Sequence, residues 1–229
     1  MQNPIYTIFQ KNMREEGPVN MCFFGDSITH GWFEGGVCDG RAVYHNLLHE
    51  MLCDEYPGLP VNILNAGRGG DNTFDALERL ERDVLCHHPD ITVIYLGTND
   101  LWLESLLPFK ANLLTIISRL QDIGSSIIMI TGTHMAKKVR EGLAPDMAEI
   151  AARIAEVQHS GKTAETFSIV RDLANENGFS LVDVYAYFTE LEEKGVDTDV
   201  YLANGINHPT KEIHRYIAEK LYEICRKPQ

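Results

Sequence analysis

Val19-Asn20-Met21-Cys22-Phe23-Phe24-Gly25-Asp26-Ser27-Ile28-Thr29-His30-Gly31 is the stretch whose reading decides the fold of this chain. Val19 to Phe24 is a short, apolar, β-prone run, and the glycine after it is a strand-ending signal. Asp26 and Ser27 therefore stand at a strand end, where the chain enters a helix. Two readings follow. Asp26 and Ser27 are the N-cap of that helix. Alternatively, the Ser27 hydroxyl projects into a crevice beside backbone N–H groups that favour an anion.

Outward from this strand, short β-rich runs alternate with helical periods. Arg41 to Asp54 reads as a helix with Val43, Leu47, Leu48, Met51 and Leu52 on one face, and Pro57-Gly58 breaks it. Val61 to Leu64 is a second strand. Thr73 to Cys86 is a helix in which Leu77, Leu80 and Val84 share a face. Ile91 to Leu96 is a nearly continuous apolar strand, as expected when helices cover both faces of a sheet. Pro108 to Asp122 starts with proline and is followed by Gly124, a helix with sensible ends. Ser126 to Thr131 is the fourth strand. The less regular stretch from 132 to 160 contains a helix at Asp146 to Gln158. Thr163 to Asn177 forms another, stopped by Gly178. Leu181 to Val184 is a short fifth strand, and Thr210 to Cys225 is the last helix. Strands separated by helices imply right-handed βαβ units, a five-stranded parallel sheet and an α/β fold, with the site at the carboxyl ends of the strands.

Composition narrows the function. The chain has 229 residues, 44% hydrophobic and 23% charged, which suits a globular domain with a sizeable core. A formal net charge of -13 repels polyanions, so nucleic acid and anionic membrane are poor partners. The five cysteines are widely spaced, with no CxxC pair, which argues against a disulfide framework or a zinc site. With no apolar leader before Val19 and no run of membrane-spanning length, the expectation is a cytoplasmic protein with reduced thiols. His30, His45, His49 and His159 show no paired metal-ligand spacing with a nearby carboxylate motif.

Polar segments should follow the strands, and three do, while a fourth precedes the last helix. Gly25 to Gly31 follows the first. Asn65-Ala66-Gly67-Arg68-Gly69-Gly70-Asp71-Asn72-Thr73 follows the second, and its glycines suit close approach of backbone to a ligand or a plain helix-capping turn. Gly97-Thr98-Asn99-Asp100 follows the third, where Asn99 could donate its amide to an oxyanion or merely build a turn. Asn204-Gly205-Ile206-Asn207-His208-Pro209 precedes the last helix, where His208 could face a serine across the crevice or cap the turn. A nucleophile, oxyanion donors and a base in this order are what acyl transfer requires.

These four segments resemble the sequence blocks of the GDSL/SGNH hydrolase superfamily. GDSITHG corresponds to its first block, NAGRGGDNT to its second, GTND to its third and NHP to its last, and the similarity spans about Val19 to Leu221. The resemblance implies a three-layer α/β/α flavodoxin-like fold, with residues 1–229 as one SGNH hydrolase domain. It also implies a serine esterase without cofactor, in which Ser27 is the nucleophile and His208 the base. The Ser27 and Gly70 N–H groups and the Asn99 amide would form the oxyanion hole.

The family usually carries an aspartate three or four residues before the base; here those positions hold Gly205 and Asn204. Three arrangements are open. Asn204 orients His208, a backbone carbonyl does so and leaves a Ser-His dyad, or Asp197 or Asp199 reaches in from upstream. Asp26, Trp32, Arg68 and Trp102 are candidate pocket residues by proximity to the blocks. His214 in the last helix reads as structural. The expected substrate is a small-molecule or carbohydrate ester with a short acyl group, an O-acetylated sugar by family analogy. The alternatives are a lysophospholipase or thioesterase with longer acyl preference, and a ligand-binding module weakened by the missing aspartate.

Overall fold

The computed structural model describes residues 4–15, 17–34 and 36–226. Its centre is a five-stranded sheet in the order β2-β1-β3-β4-β5, with every neighbouring pair parallel. The strands are β1 (Val19–Gly25), β2 (Val61–Gly67), β3 (Ile91–Tyr95), β4 (Ser126–Ile130) and β5 (Ser180–Val182). The α/β class and the five parallel strands are as the alternation of elements predicts. All five residues of β3 are buried, although alternate side chains point to opposite faces, so helices cover both sides of the sheet.

The helices are α1 (Pro4–Glu15), a single turn α2 (Ser27–His30), α3 (Tyr44–Glu55), α4 (Thr73–Asp83), α5 (Leu107–Asp122), α6 (Pro145–His159), α7 (Lys162–Asn177), α8 (Val184–Glu193) and α9 (Lys211–Cys225). Helix α9 packs on α3 and α1, α4 packs on α5, and α7 packs on β4 and β5. Buried Phe23, Phe24, Val93, Ile94, Ile128 and Met129 fill the space between these layers.

Several boundaries differ from the sequence reading. Helix α3 begins at Tyr44 rather than Arg41, because Arg41 belongs to a turn in which its N–H donates to the Asp39 carboxylate at 3.1 Å. The fifth strand stops at Val182. Asp183 then caps α8 by accepting from the Ala186 N–H at 3.0 Å, so Val184 opens a helix instead of closing a strand. Helix α1 was not expected either. Its buried pair Ile5 and Phe9, four apart, gives it a core-facing side.

Register places the site. Gly25 pairs with Gly67 on one side and with Tyr95 on the other. The ends of β1, β2 and β3 are therefore level, and the chain leaves all three at the same edge of the sheet. Contact between β2 and α2 needs glycine at this edge: a Cβ on Gly67 would lie 2.2 Å from the His30 nitrogen.

Candidate active site

Ser27 is the first residue of the single-turn helix α2, capped by the Asp26 carboxylate, which accepts from the Ile28 N–H at 2.9 Å. Across the crevice, His208 lies in a tight loop before α9. Backbone bonds from Ala203 N–H to the His208 carbonyl (2.7 Å) and from Thr210 N–H to the Tyr201 carbonyl (2.9 Å) close this loop. The His208 Nε2 atom stands 3.0 Å from Ser27 Oγ, and Nδ1 stands 2.7 Å from the main-chain oxygen of Phe33. A carbonyl only accepts, so Nδ1 carries the proton and Nε2 presents a lone pair to the serine hydroxyl. Burial lowers the His208 pKa below its usual value, against the opposing pull of the Phe33 bond.

Asn204 does not touch the ring. Its Oδ1 accepts from the N–H groups of Ile206, Asn207 and His208 at 3.0, 2.9 and 2.9 Å, and its Nδ2 donates to Asn207 Oδ1. The side chain folds the loop and thereby sets the histidine backbone. The upstream carboxylates are engaged elsewhere: Asp197 accepts from Lys138 Nζ at 2.6 Å, and both oxygens of Asp199 face the Lys137 N–H at 3.2 Å. Of the three arrangements the sequence left open, the ring geometry is the one with a backbone carbonyl behind His208.

The glycine loop after β2 turns through Gly70, whose φ is +83°, a left-handed conformation natural to glycine. Its N–H takes no partner among the described residues. Asn99 donates one Nδ2 hydrogen to the Asp71 carbonyl at 2.8 Å, which leaves its second hydrogen free. Asp100, the last residue of the GTND segment, is buried and holds the start of α4 by accepting from Thr73 Oγ1 at 2.6 Å and from Thr73 N–H at 3.1 Å.

The pocket residues expected from sequence separate. Trp32 lines a cleft of about 490 Å³ with Phe33, Glu34, Arg140, Leu143, Met147 and His208. Asp26 does not line it: the residue is wholly buried, and burial pushes its carboxyl up to about 7, so it caps α2 and is sealed from a substrate. Arg68 is exposed and faces Asp71 at 3.4 Å. Trp102 is half exposed outside that lining, beneath the Arg153 guanidinium at 5.0 Å. His214 is buried, accepts from the Tyr44 N–H through Nδ1 at 3.2 Å, and is held neutral by burial with a pKa of about 3.

Three elements around the site escaped the sequence reading. The Phe33 carbonyl carries no side-chain signal. Arg140 lies across Gly205, so close that a Cβ there would meet its Nε at 2.9 Å. Arg79 is buried in α4 at 3% exposure and does have a signal: it follows Thr73 and Ala76 at intervals of three, on the buried stripe of the helix.

Comparison with known proteins agrees with this architecture. Residues 23–216 match the GDSL-like lipase/acylhydrolase family. The chain belongs to that family of carboxylic ester hydrolases, and its activity class is that of a GDSL-type esterase. An acetylxylan esterase of Geobacillus stearothermophilus is 25% identical over 191 residues, which is 75% of this chain and 78% of that protein. An arylesterase of Vibrio mimicus is 35% identical over 108 residues, covering 46% of this chain and 50% of the relative. Among solved structures, the lipase/acylhydrolase of Enterococcus faecalis superposes with a TM-score of 0.69 at 23% identity, covering 90% of this chain and 94% of the other. The acetylxylan esterase Axe2 of Geobacillus stearothermophilus does so with 0.68 at 22% identity, covering 92% and 95%. No helix among the described residues is long and apolar enough to cross a membrane.

Proposed function

We propose that this protein hydrolyses short-chain carboxylic esters, O-acetylated carbohydrates foremost, by a Ser27–His208 dyad whose third element is the Phe33 carbonyl. The observation that carries the reading is the continuous line Ser27 Oγ, His208 Nε2, His208 Nδ1, Phe33 O, with spacings of 3.0 and 2.7 Å at its two hydrogen bonds. Ser27 Oγ attacks the acyl carbon and its proton passes to His208 Nε2. The carbonyl π electrons move to oxygen, and that oxyanion is held by the N–H groups of Ser27 and Gly70 and the free Asn99 Nδ2 hydrogen. The oxyanion collapses, the bond to the alcohol oxygen breaks, and the alcohol leaves with the proton from Nε2. Water repeats the sequence on the acyl-serine and releases the acid.

The carbohydrate reading draws on the acetylxylan esterase relatives and on the cleft itself. Trp32 offers an aromatic wall beside His208, and the exposed Glu34 and Arg140 offer an acceptor and donors for sugar hydroxyls. The apolar wall of Leu143, Ala144 and Met147 supports a second reading, an enzyme for longer acyl chains.

The test is hydrolysis of p-nitrophenyl acetate, p-nitrophenyl octanoate and an acetylated xylooligosaccharide by wild type and Ser27→Ala. Acetate released from the sugar by wild type, with the variant at background, is the expected result. Faster turnover of octanoate than of either acetate would move the second reading ahead. Background activity of folded wild type on all three would overturn both.

A further inference from the structure

We propose that Arg79 is the positioning residue of the oxyanion hole. It is a buried guanidinium that ties together the three strand ends from which the hole's donors come. This rests on the roles of Ser27, Gly70 and Asn99 proposed above.

Besides an ion pair within α4, from Nη1 to the Asp83 carboxylate at 3.3 Å, Arg79 makes four kinds of contact at the carboxyl edge of the sheet. Its Nη2 donates to the Gly25 carbonyl at 2.9 Å, two residues before Ser27. Its Nη1 donates to the Ala66 carbonyl at 2.7 Å, at the end of β2. Its Nε donates to the carboxylate of Asp71, the residue after Gly70. Its plane covers the Phe24 ring, with Cζ 4.8 Å from the centroid. Asp71 carries the connection onward, because its own carbonyl accepts from the Asn99 amide at 2.8 Å. One planar fork therefore spans β1, β2 and the glycine loop, and reaches the segment after β3 through a single further residue. The Gly25 carbonyl also accepts from the Arg68 N–H at 3.1 Å, which fastens the start of the same loop to β1.

Packing of α4 alone does not require this arrangement. An arginine at a core-facing helix position is costly to bury, and a leucine or methionine there would fill the space without the need for partners. What the arginine adds is geometry. Its N–H directions are rigid, so three acceptors on different segments are held at fixed mutual spacing. An oxyanion hole depends on such spacing, because its donors must sit about 2.7–3.1 Å from the developing oxyanion and be held there to within about 0.5 Å. A lysine at this position retains the charge opposite Asp71 but offers one nitrogen in place of three, so it cannot reach Gly25, Ala66 and Asp71 together.

The test is Arg79→Lys in the full chain, with the double variant Arg79→Met/Asp71→Asn as the alternative that leaves no buried charge unpaired, since Asp83 keeps Arg82 and the released Arg68 is exposed. Each is checked for folding by circular dichroism and thermal melting before kinetics with p-nitrophenyl acetate and binding of a boronic acid, which forms a tetrahedral adduct on the serine. For a folded variant, kcat is expected to fall about 100-fold, the cost of an ångström-scale misplacement, with KM within about twofold. Boronate affinity is expected to weaken with kcat. A merely structural arginine would lower the melting temperature and leave kcat per folded molecule and boronate affinity at wild-type values, and that result in either variant overturns the proposal. Ser27→Ala and Asn99→Ala separate the two levels. If both abolish turnover and Arg79→Lys does not, only the positioning role falls. If neither lowers kcat, the proposed mechanism falls and the role of Arg79 with it.

Discussion

His208 donates from Nδ1 to the main-chain carbonyl of Phe33, 2.7 Å away, in the place where a carboxylate would complete a charged triad. A carbonyl dipole holds the tautomer and the ring orientation as a carboxylate does, yet brings no net charge to stabilise the imidazolium formed in the transition state. Phe33 is itself fixed: its N–H donates to the Val37 carbonyl at 3.0 Å, and its ring packs on His214 with centroids 4.7 Å apart. The acceptor behind His208 is thus anchored through both the backbone and the ring of its own residue.

Removal of Asn204 should damage the loop before the chemistry. Its Oδ1 satisfies three backbone N–H groups, each worth about 1 kcal/mol net, so Asn204→Ala is expected to cost about 2–3 kcal/mol of stability. A fall in melting temperature accompanied by a fall in kcat is the expected pattern. Unchanged melting with reduced kcat would instead indicate a direct part in catalysis.

Restoring the family's aspartate should not restore a triad. Gly205 has φ +68°, and a Cβ there would lie 2.9 Å from Arg140 Nε and 3.0 Å from its Cζ. In Gly205→Asp the new carboxylate meets that guanidinium, while His208 Nδ1 keeps its Phe33 partner. The expected result is a kcat/KM no higher than wild type, with a loss of about 1 kcal/mol from the left-handed backbone. A tenfold or larger gain in kcat/KM would show that the carboxylate reaches the ring.

The acid limb of kcat/KM should lie below pH 6.5, the ordinary histidine value. In the proposed mechanism neutral His208 is the competent base, and burial lowers the pH at which it takes up a proton. Activity therefore persists to lower pH than a solvent-exposed histidine would allow. A pH-rate profile for p-nitrophenyl acetate measures it, and an apparent pKa above 7 would contradict the electrostatics described.

Asp26 should make the fold less stable as pH rises. Its carboxyl ionises near 3.8 when unfolded and at about 7 in the folded chain, so the native state binds the extra proton between those values. Stability from this group is full below pH 3.8 and is lost through pH 7, with a ceiling of about 4 kcal/mol. Asp26→Asn retains an oxygen for the Ile28 N–H and removes the titration. Its melting temperature relative to wild type should rise between pH 5 and pH 8; a constant difference would sink the assignment.

Much of the site was legible because its chemistry is local. Ser27, Gly70 and Asn99 each follow a strand within a few residues, and strand ends are readable from apolar runs stopped by glycine or polar residues. The elements that were missed depend on partners far along the chain. Helix α8 hinges on Asp183 capping a turn that a β-prone Val184 disguises, and Arg140 matters because Gly205 lies beside it. The pocket roles of Asp26 and Trp102 were inferred from sequence proximity, which does not tell which way a side chain points.

From the sequence alone came the alternation of strands and helices, the parallel sheet, and the pairing of a strand-end serine with a late histidine. These follow from periodicity and from side-chain chemistry, which residues carry wherever they are placed. What oriented His208 was a tertiary matter. A backbone carbonyl is present at every residue and is marked by no side chain, so only the approach of Phe33 to His208, 175 positions apart, could select it. The same holds for Arg79, whose acceptors are carbonyls and a carboxylate brought level by the register of β1 with β2.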